Sequence, residues 1–232
     1  MIGGRGPLTI SKRLAALANA VPPCHMVADI GCDHGYLSVY LAQTGRCERV
    51  LACDISPFSV EKTRRQVQEN GVDERVDVMQ CDGLSAAQKA DAAVLAGIGG
   101  NELLRIVADA APGPVLVLQP ASHAAELRRG LCLLGYKIEW EAVVCDGRLY
   151  PLIRAVYTGQ KTELDELQAE IGPYNLRHPD DTVLLYAKWR RNILLKACAK
   201  EPRSERGRSM HTAYKVLTER IEQWLEEHDG NS

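Results

Sequence analysis

Over roughly the first two-thirds of the chain, short and almost wholly apolar runs alternate with stretches whose apolar positions recur every three or four places. Residues 9–21 place Leu14, Leu17, Ala18 and Val21 on one stripe and stop at Pro22-Pro23, which predicts an opening helix. Strands are predicted at 26–30, 49–53, 75–80, 92–96 and 115–118, with helices between them at 35–43, 56–71, 100–110 and 122–134. Ser56-Pro57 offers an N-cap and a first-turn proline, and Asn70-Gly71 marks the end of the same helix. Two further strands, 136–145 and 150–157, bracket Asp146-Gly147, a hairpin signal.

Short strands that are apolar at nearly every position belong in a parallel sheet covered on both faces. A closing antiparallel hairpin after five β/α units is how the Rossmann-like class I methyltransferase sheet ends, whereas dinucleotide dehydrogenases continue with more β/α units. The expected fold class is α/β: a seven-stranded Rossmann-like sheet with a C-terminal α-helical, coiled-coil-like extension. The texture changes near Gly159, so a cofactor-binding domain is expected at 1–159 and a helical extension at 160–232. There Leu164, Leu167 and Ile171 mark a short helix ending at Gly172-Pro173. Leu185, Trp189 and Ile193 form one stripe, and Tyr214, Leu217, Ile221 and Trp224 a second. Each stripe is expected to be the buried seam of one arm of a helical hairpin joined near residues 202–207.

The first strand runs into Asp29-Ile30-Gly31-Cys32-Asp33-His34-Gly35, and the second ends in Asp54, 25 positions after Asp29. Gly31 and Gly35 allow a tight turn, and Asp54 can accept hydrogen bonds from both hydroxyls of a ribose. Dinucleotide sites use Gly-x-Gly-x-x-Gly. Here Asp33 stands at the middle glycine, and a carboxylate beside a helix N-terminus repels a pyrophosphate. S-adenosylmethionine carries no phosphate, and its sulfonium and ammonium suit Asp29 and a neighbouring carboxylate. No Gly-Lys-Ser/Thr is present, which excludes a P-loop. Asp82-Gly83 is either a plain turn or an acceptor for the adenine amine. The fourth strand ends in Ala96-Gly97-Ile98-Gly99-Gly100, where open α/β sheets bind ligands; its glycines leave room for a bulky substrate. The Asn-Pro-Pro-Tyr found there in many amino-methylating enzymes is missing. Gln119-Pro120 puts an amide on the same rim.

Charge and cysteine content narrow the setting. No apolar run approaches a membrane span, and residues 1–7 lack the apolar core of a signal peptide, so a cytoplasmic protein with no membrane partner is expected. Eight cysteines include no Cys-x-x-Cys, so reduced structural thiols and no metal are expected. The net charge of −2 argues against a general affinity for polyanions, yet residues 186–215 carry nine Lys or Arg against two Glu. Lys188, Arg190 and Arg191 lie in that run, whose local field would steer a polyanion, unless it serves as a dimer interface. A monomer or weak homodimer is expected.

Leu8-Thr9-Ile10-Ser11-Lys12-Arg13-Leu14, the turn from Asp29 through Leu37, Asn70-Gly71, Asp82-Gly83-Leu84, Gly97-Ile98-Gly99-Gly100, Leu118-Gln119-Pro120 and Leu149-Tyr150-Pro151 resemble the bacterial tRNA (adenine(22)-N1)-methyltransferase family. The likeness runs from Leu8 to about Gly159, with a helical extension similar in placement. It implies S-adenosylmethionine as methyl donor and N1 of an adenine in the D-arm region of tRNA as acceptor. The cofactor would meet Asp29, Gly31, Cys32, Asp33, His34, Gly35, Asp54, Ile55, Asp82, Gly83, Ala96 and Gly97. The substrate would meet Lys12, Arg13, Gly99, Gly100, Gln119, Pro120, Tyr150 and the basic run. Gly35 stands where many relatives carry alanine, a difference expected to leave cofactor binding intact.

Adenine N1 has an in-plane lone pair and no proton to remove, so alignment, exclusion of water and an acceptor for the N6 amine suffice. Asp33 is the expected catalytic acceptor, or else it shapes the turn or holds the cofactor. His34 is expected to bond backbone rather than act as a base. Lys12 and Arg13, on the polar side of the first helix, touch phosphates or solvent. Tyr150 stacks on a flipped base or packs in the core. The rival functions are methylation of ribosomal RNA or a small molecule, and a catalytically silent RNA-binding protein.

Overall fold

The computed structural model describes residues 8–199 and 204–228. The leading residues 1–7, Lys200 and Arg203 of the basic run, and part of the expected hairpin junction lie outside the described residues. The elements are α1 (Lys12–Ala20), β1 (Cys24–Ile30), α2 (Tyr36–Thr44), β2 (Cys47–Asp54), α3 (Pro57–Glu69), β3 (Val76–Gln80), β4 (Ala92–Ile98), α4 (Gly100–Ala108), β5 (Val115–Pro120), α5 (Ala124–Leu133), β6 (Tyr136–Cys145), β7 (Leu149–Tyr157), α6 (Glu166–Ile171), α7 (Asp181–Cys198) and α8 (Glu205–His228). The sheet order is β3-β2-β1-β4-β5-β7-β6, parallel through β5. β7 is antiparallel to both β5 and β6. The expected seven-stranded α/β sheet with its closing hairpin is what forms. Among the described residues no helix is long and apolar enough to cross a membrane.

Strand side chains alternate between faces, so each apolar run feeds two cores. Val27, Val50, Val94 and Val117 pack under α1 and α2 with Leu17 and Leu41. Ala28, Leu95 and Leu118 face Leu103 of α4 and Leu127 of α5. Ser11 caps α1 through Leu14 N, and Ser56 caps α3 through Ser59 N. β4 runs two residues beyond its expected end, through a register irregularity at Gly97, whose φ is +79°.

One expectation fails for a tertiary reason, and one pair of cysteines meets that spacing did not announce. Cys53 at the end of β2 and Cys81 just past β3 are neighbours, with Cα atoms 5.7 Å apart. Parallel pairing puts Asp54 opposite Gln80, so cysteines 28 positions apart become neighbours that spacing motifs do not reveal. In α7 the expected seam is on the outside: Leu185, Trp189 and Ile193 are exposed, while Val183, Leu184, Tyr186, Ala187 and Leu194 are buried. The helix carries two apolar rows, and its partners choose between them. Those partners are Val143, Ile171 and the α8 seam of Leu217, Ile221 and Trp224, which is buried as expected. Cys198 meets the His211 carbonyl and Arg191 meets Glu222, so the two helices run antiparallel.

A buried ion pair ties this extension to the sheet. Arg128 on α5 and Glu141 on β6 have fully buried side chains and meet at 2.6 Å. Arg128 Nη1 donates to the Ala169 and Glu170 carbonyls at the end of α6. Glu141 accepts the Tyr174 amide, and a Cβ at Gly172 would collide with its carboxylate. Glu170 in turn pairs with Arg190 of α7. Removing one member of a buried pair strands the other charge, at a cost of about 3–5 kcal/mol. Arg128→Met is therefore expected to lower the unfolding free energy by about that much in urea titrations, and Arg128→Met/Glu141→Met to recover at least half of the loss.

Candidate active site

The C-terminal ends of β1 and β4 open onto a cavity of about 370 Å³ lined by Asp29, Gly31, Cys32, Asp33, His34, Ala96 and Gly97. The turn after β1 is held by backbone bonds to β2: the Gly31 and Cys32 amides both donate to the Cys53 carbonyl, at 2.8 and 3.1 Å. Asp54 then clamps the turn from the side. One carboxylate oxygen accepts the Asp33 amide at 3.1 Å, and the other accepts the Ser56 amide at 2.9 Å. Each oxygen keeps lone-pair capacity for a further donor. Gly31, Asp33 and Gly35 all have positive φ, of +75°, +49° and +72°. Two of the three are glycine, and the third is an Asp, a residue type that tolerates this conformation.

Asp29 is the buried acid of the site, 5% exposed, and accepts the Ser38 hydroxyl at 2.5 Å. Burial pushes its carboxyl up to about 6, against the Ser38 hydrogen bond, which lowers it. Asp33 is more open; its side chain is 69% exposed, with His34 Nε2 3.5 Å away. His34 stacks on Tyr36 at 5.8 Å between ring centres. Cys32 is inert: burial pushes its thiol up to about 12, and it lies against Thr63 Oγ1.

The structure changes several of the sequence expectations. Arg13 does not sit on a solvent-facing side of α1. It turns inward, lines the acidic cavity, donates to Gln119 Oε1 at 2.8 Å and stands 5.6 Å from the Tyr150 ring centre. Lys12 is exposed. Gly100 does not make room for substrate, because a Cβ there would collide with the His123 carbonyl, and its amide donates to Ser122 O. Gly99 lies against Ser122 as well, whereas Gly97 is open. Gly35 has no room for alanine: a Cβ would lie 2.7 Å from Thr63 Cγ2 at a left-handed φ.

Asp82 and Gly83 line a separate depression of about 140 Å³ beside Arg105. Asp54 and the exposed Ile55 flank the acidic cavity rather than line it. Pro120 and Tyr150 belong to a neighbouring cavity of about 470 Å³, and Arg148 stands 5.8 Å from the Tyr150 ring centre. Tyr150 is partly buried and packs against the core under α1 and α2, with two guanidinium groups near its ring. Arg190 and Arg191 are engaged by Glu170 and Glu222, and Lys188 is half-buried. Leu14 and Tyr36 line the acidic cavity and escaped the sequence reading. A tyrosine opening an otherwise apolar helix right after Gly35 was the available signal.

A parallel sheet closed by an antiparallel hairpin, with an acid-lined cavity at the β1 turn, defines a Rossmann-like methyltransferase domain. Residues 10–153 match the methyltransferase domain family, and the chain belongs to it. It is similar to the tRNA (adenine(22)-N(1))-methyltransferase of Bacillus subtilis, at 29% identity over 80% of this chain and 82% of that protein. In fold it matches the structure of the B. subtilis m1A22 tRNA methyltransferase TrmK, with TM-score 0.81 and 24% identity over 94% of this chain and 99% of that one. It also matches M. capricolum TrmK in complex with S-adenosyl-homocysteine, with TM-score 0.80 and 21% identity over 93% and 99%.

Because the folded pKa of Asp29 lies above its ordinary value of 3.8, the protonated form stabilises the fold. That contribution, about 3 kcal/mol at one pKa unit per 1.4 kcal/mol, is complete below pH 4 and lost as pH rises through 6. Urea unfolding at pH 4 and pH 7 is expected to show the wild-type protein losing stability relative to Asp29→Asn over that interval. Gly35→Ala is expected to lower the thermal midpoint through the Thr63 contact, and Gly35→Ala/Thr63→Ser to recover part of it.

Proposed function

We propose that the protein transfers a methyl group from S-adenosylmethionine to N1 of an adenine in the D-arm region of tRNA, at position 22. The acid-lined cavity carries this reading. Two carboxylates at a glycine turn favour a cationic ligand and disfavour a pyrophosphate. Bound there, the cofactor supplies an electrophilic methyl group on a sulfonium. Asp29 holds the ammonium, and Asp54, already fixed by two amides, takes the ribose hydroxyls. Asp82 stands two positions beyond Gln80, which pairs with Asp54, and so serves the adenine end at the same strand-end level. Cofactor contacts from Ile55 and the Gly31–Gly35 turn follow from the same placement.

The acceptor nitrogen needs no base. Asp33, exposed on the turn, accepts from the N6 amine and offsets the positive charge that forms on the methylated ring. Similarity to the B. subtilis tRNA enzyme over most of both chains supports tRNA as the acceptor, and the helical extension supplies the phosphate-facing surface. With Arg190 and Arg191 engaged internally, that role falls to exposed cations such as Lys196, Arg208 and Lys215.

The decisive experiment incubates the protein with labelled cofactor and unmodified tRNA, total RNA or metabolite extract, then maps the methylated base by mass spectrometry. The reading fails if label appears only in ribosomal RNA or small molecules. Asp33→Ala is expected to lose at least a hundredfold in kcat while keeping cofactor affinity within about threefold, measured by single-turnover kinetics and calorimetry. Lys196→Glu/Arg208→Glu/Lys215→Glu is expected to weaken tRNA binding at least tenfold and flatten its salt dependence, with cofactor binding unchanged.

A further inference from the structure

Beside the acidic cavity lies the one of about 470 Å³, between the β5–α5 loop, the β6–β7 turn and α7. A shared wall divides them: Arg13 faces the first, Tyr150 faces the second, and Gln119 is bonded to Arg13 at the join. The two cavities differ in charge. The first has Asp29 and Asp33 in its lining; the second contains no Asp or Glu and includes Arg148 and Arg190. Its floor is apolar, from Pro120, Leu149 and Pro151, and α7 presents Trp189 to it, 44% exposed. Arg190 lies 5.4 Å from the Trp189 ring centre and is held by Glu170, so it fixes the indole rather than offering a fresh charge. At the mouth, His123 takes a left-handed conformation, φ 55° and ψ 42°, costly for a residue with a Cβ.

A flat aromatic face, an apolar floor, an arginine at the rim and no competing acid are what a single nucleotide of RNA requires. We infer that this second cavity binds the nucleotide next in the chain to the one being methylated, with its base against Trp189 and its phosphate toward Arg148. The inference rests on the function proposed above and extends it. One cavity draws in the reacting adenine and the other its neighbour, so two consecutive bases leave the stack. The enzyme then selects RNA whose target adenine and flank can both be unstacked.

The test uses the full chain and unmodified tRNA transcripts carrying 2-aminopurine on either side of the target adenine. Binding is expected to change the fluorescence of one flanking position, and Trp189→Ala to abolish that change. Trp189→Ala and Arg148→Ala are each expected to raise KM for tRNA about tenfold or more, with kcat within about twofold and cofactor affinity unchanged. Trp189→Phe, which keeps a ring, is expected to restore most of the loss. Unchanged KM and fluorescence in both alanine variants, while the unaltered protein methylates tRNA, would overturn this inference alone. So would RNA affinity that stays constant while Trp189→Ala alters the sedimentation of the protein, a result that assigns the exposed α7 row to self-association. Failure of the unaltered protein to methylate any tRNA would remove the proposed function, and this inference with it.

Discussion

The buried pair between Arg128 and Glu141 is the interaction on which the overall arrangement turns. Two charges without solvent need hydrogen-bond partners for their remaining donors and acceptors. Here partners come from the α6 carbonyls and the Tyr174 amide, all of them in the segment that follows the sheet, and among the described residues Arg128 Nη2 alone of the pair's polar atoms is left without one. The extension thus supplies most of the coordination of a charge pair buried between α5 and β6. From there Glu170 passes the constraint to Arg190, and Arg190 to Trp189. The orientation of α7 over the rim of the sheet follows from these ion pairs together with its buried apolar row against α8 and β6.

The rim itself separates two electrostatic environments with very little material. Arg13 lies between them, bonded to Gln119 and set against Tyr150. On one side Asp29 is kept buried and Asp33 is held in a left-handed turn by Asp54. On the other side there is no acid in the lining. The carboxylates on one side suit a cationic ligand and the acid-free lining on the other suits a phosphate, with Arg13 at the boundary. Strain concentrates here too, at Asp33 and His123, the only described non-glycine residues with positive φ.

Much of this was readable beforehand. The alternation of apolar runs gave strand and helix order, because period-2 and period-3.6 patterns are local consequences of backbone geometry. The Asp146-Gly147 turn announced the hairpin, and the Asp-rich glycine turn marked the site, because left-handed turns and carboxylates are each legible one residue at a time. The errors came where two segments had to be placed against each other. Gly100 looked like space for substrate and proved to be space for the His123 backbone. Arg13 was placed on the polar side of its helix, against phosphate or solvent, and stands instead between the two cavities.

Chain order, sheet type and the acidic character of the cofactor turn are set by residues close in sequence, and these the amino-acid string alone decided. The exposed row of α7, the approach of Cys53 to Cys81 and the acid-free second cavity arise between segments tens of residues apart. Helix periodicity allows α7 two apolar rows of similar quality. Only the folded partners, α8 and the β6 edge, determine which row is buried and leave Trp189 facing outward.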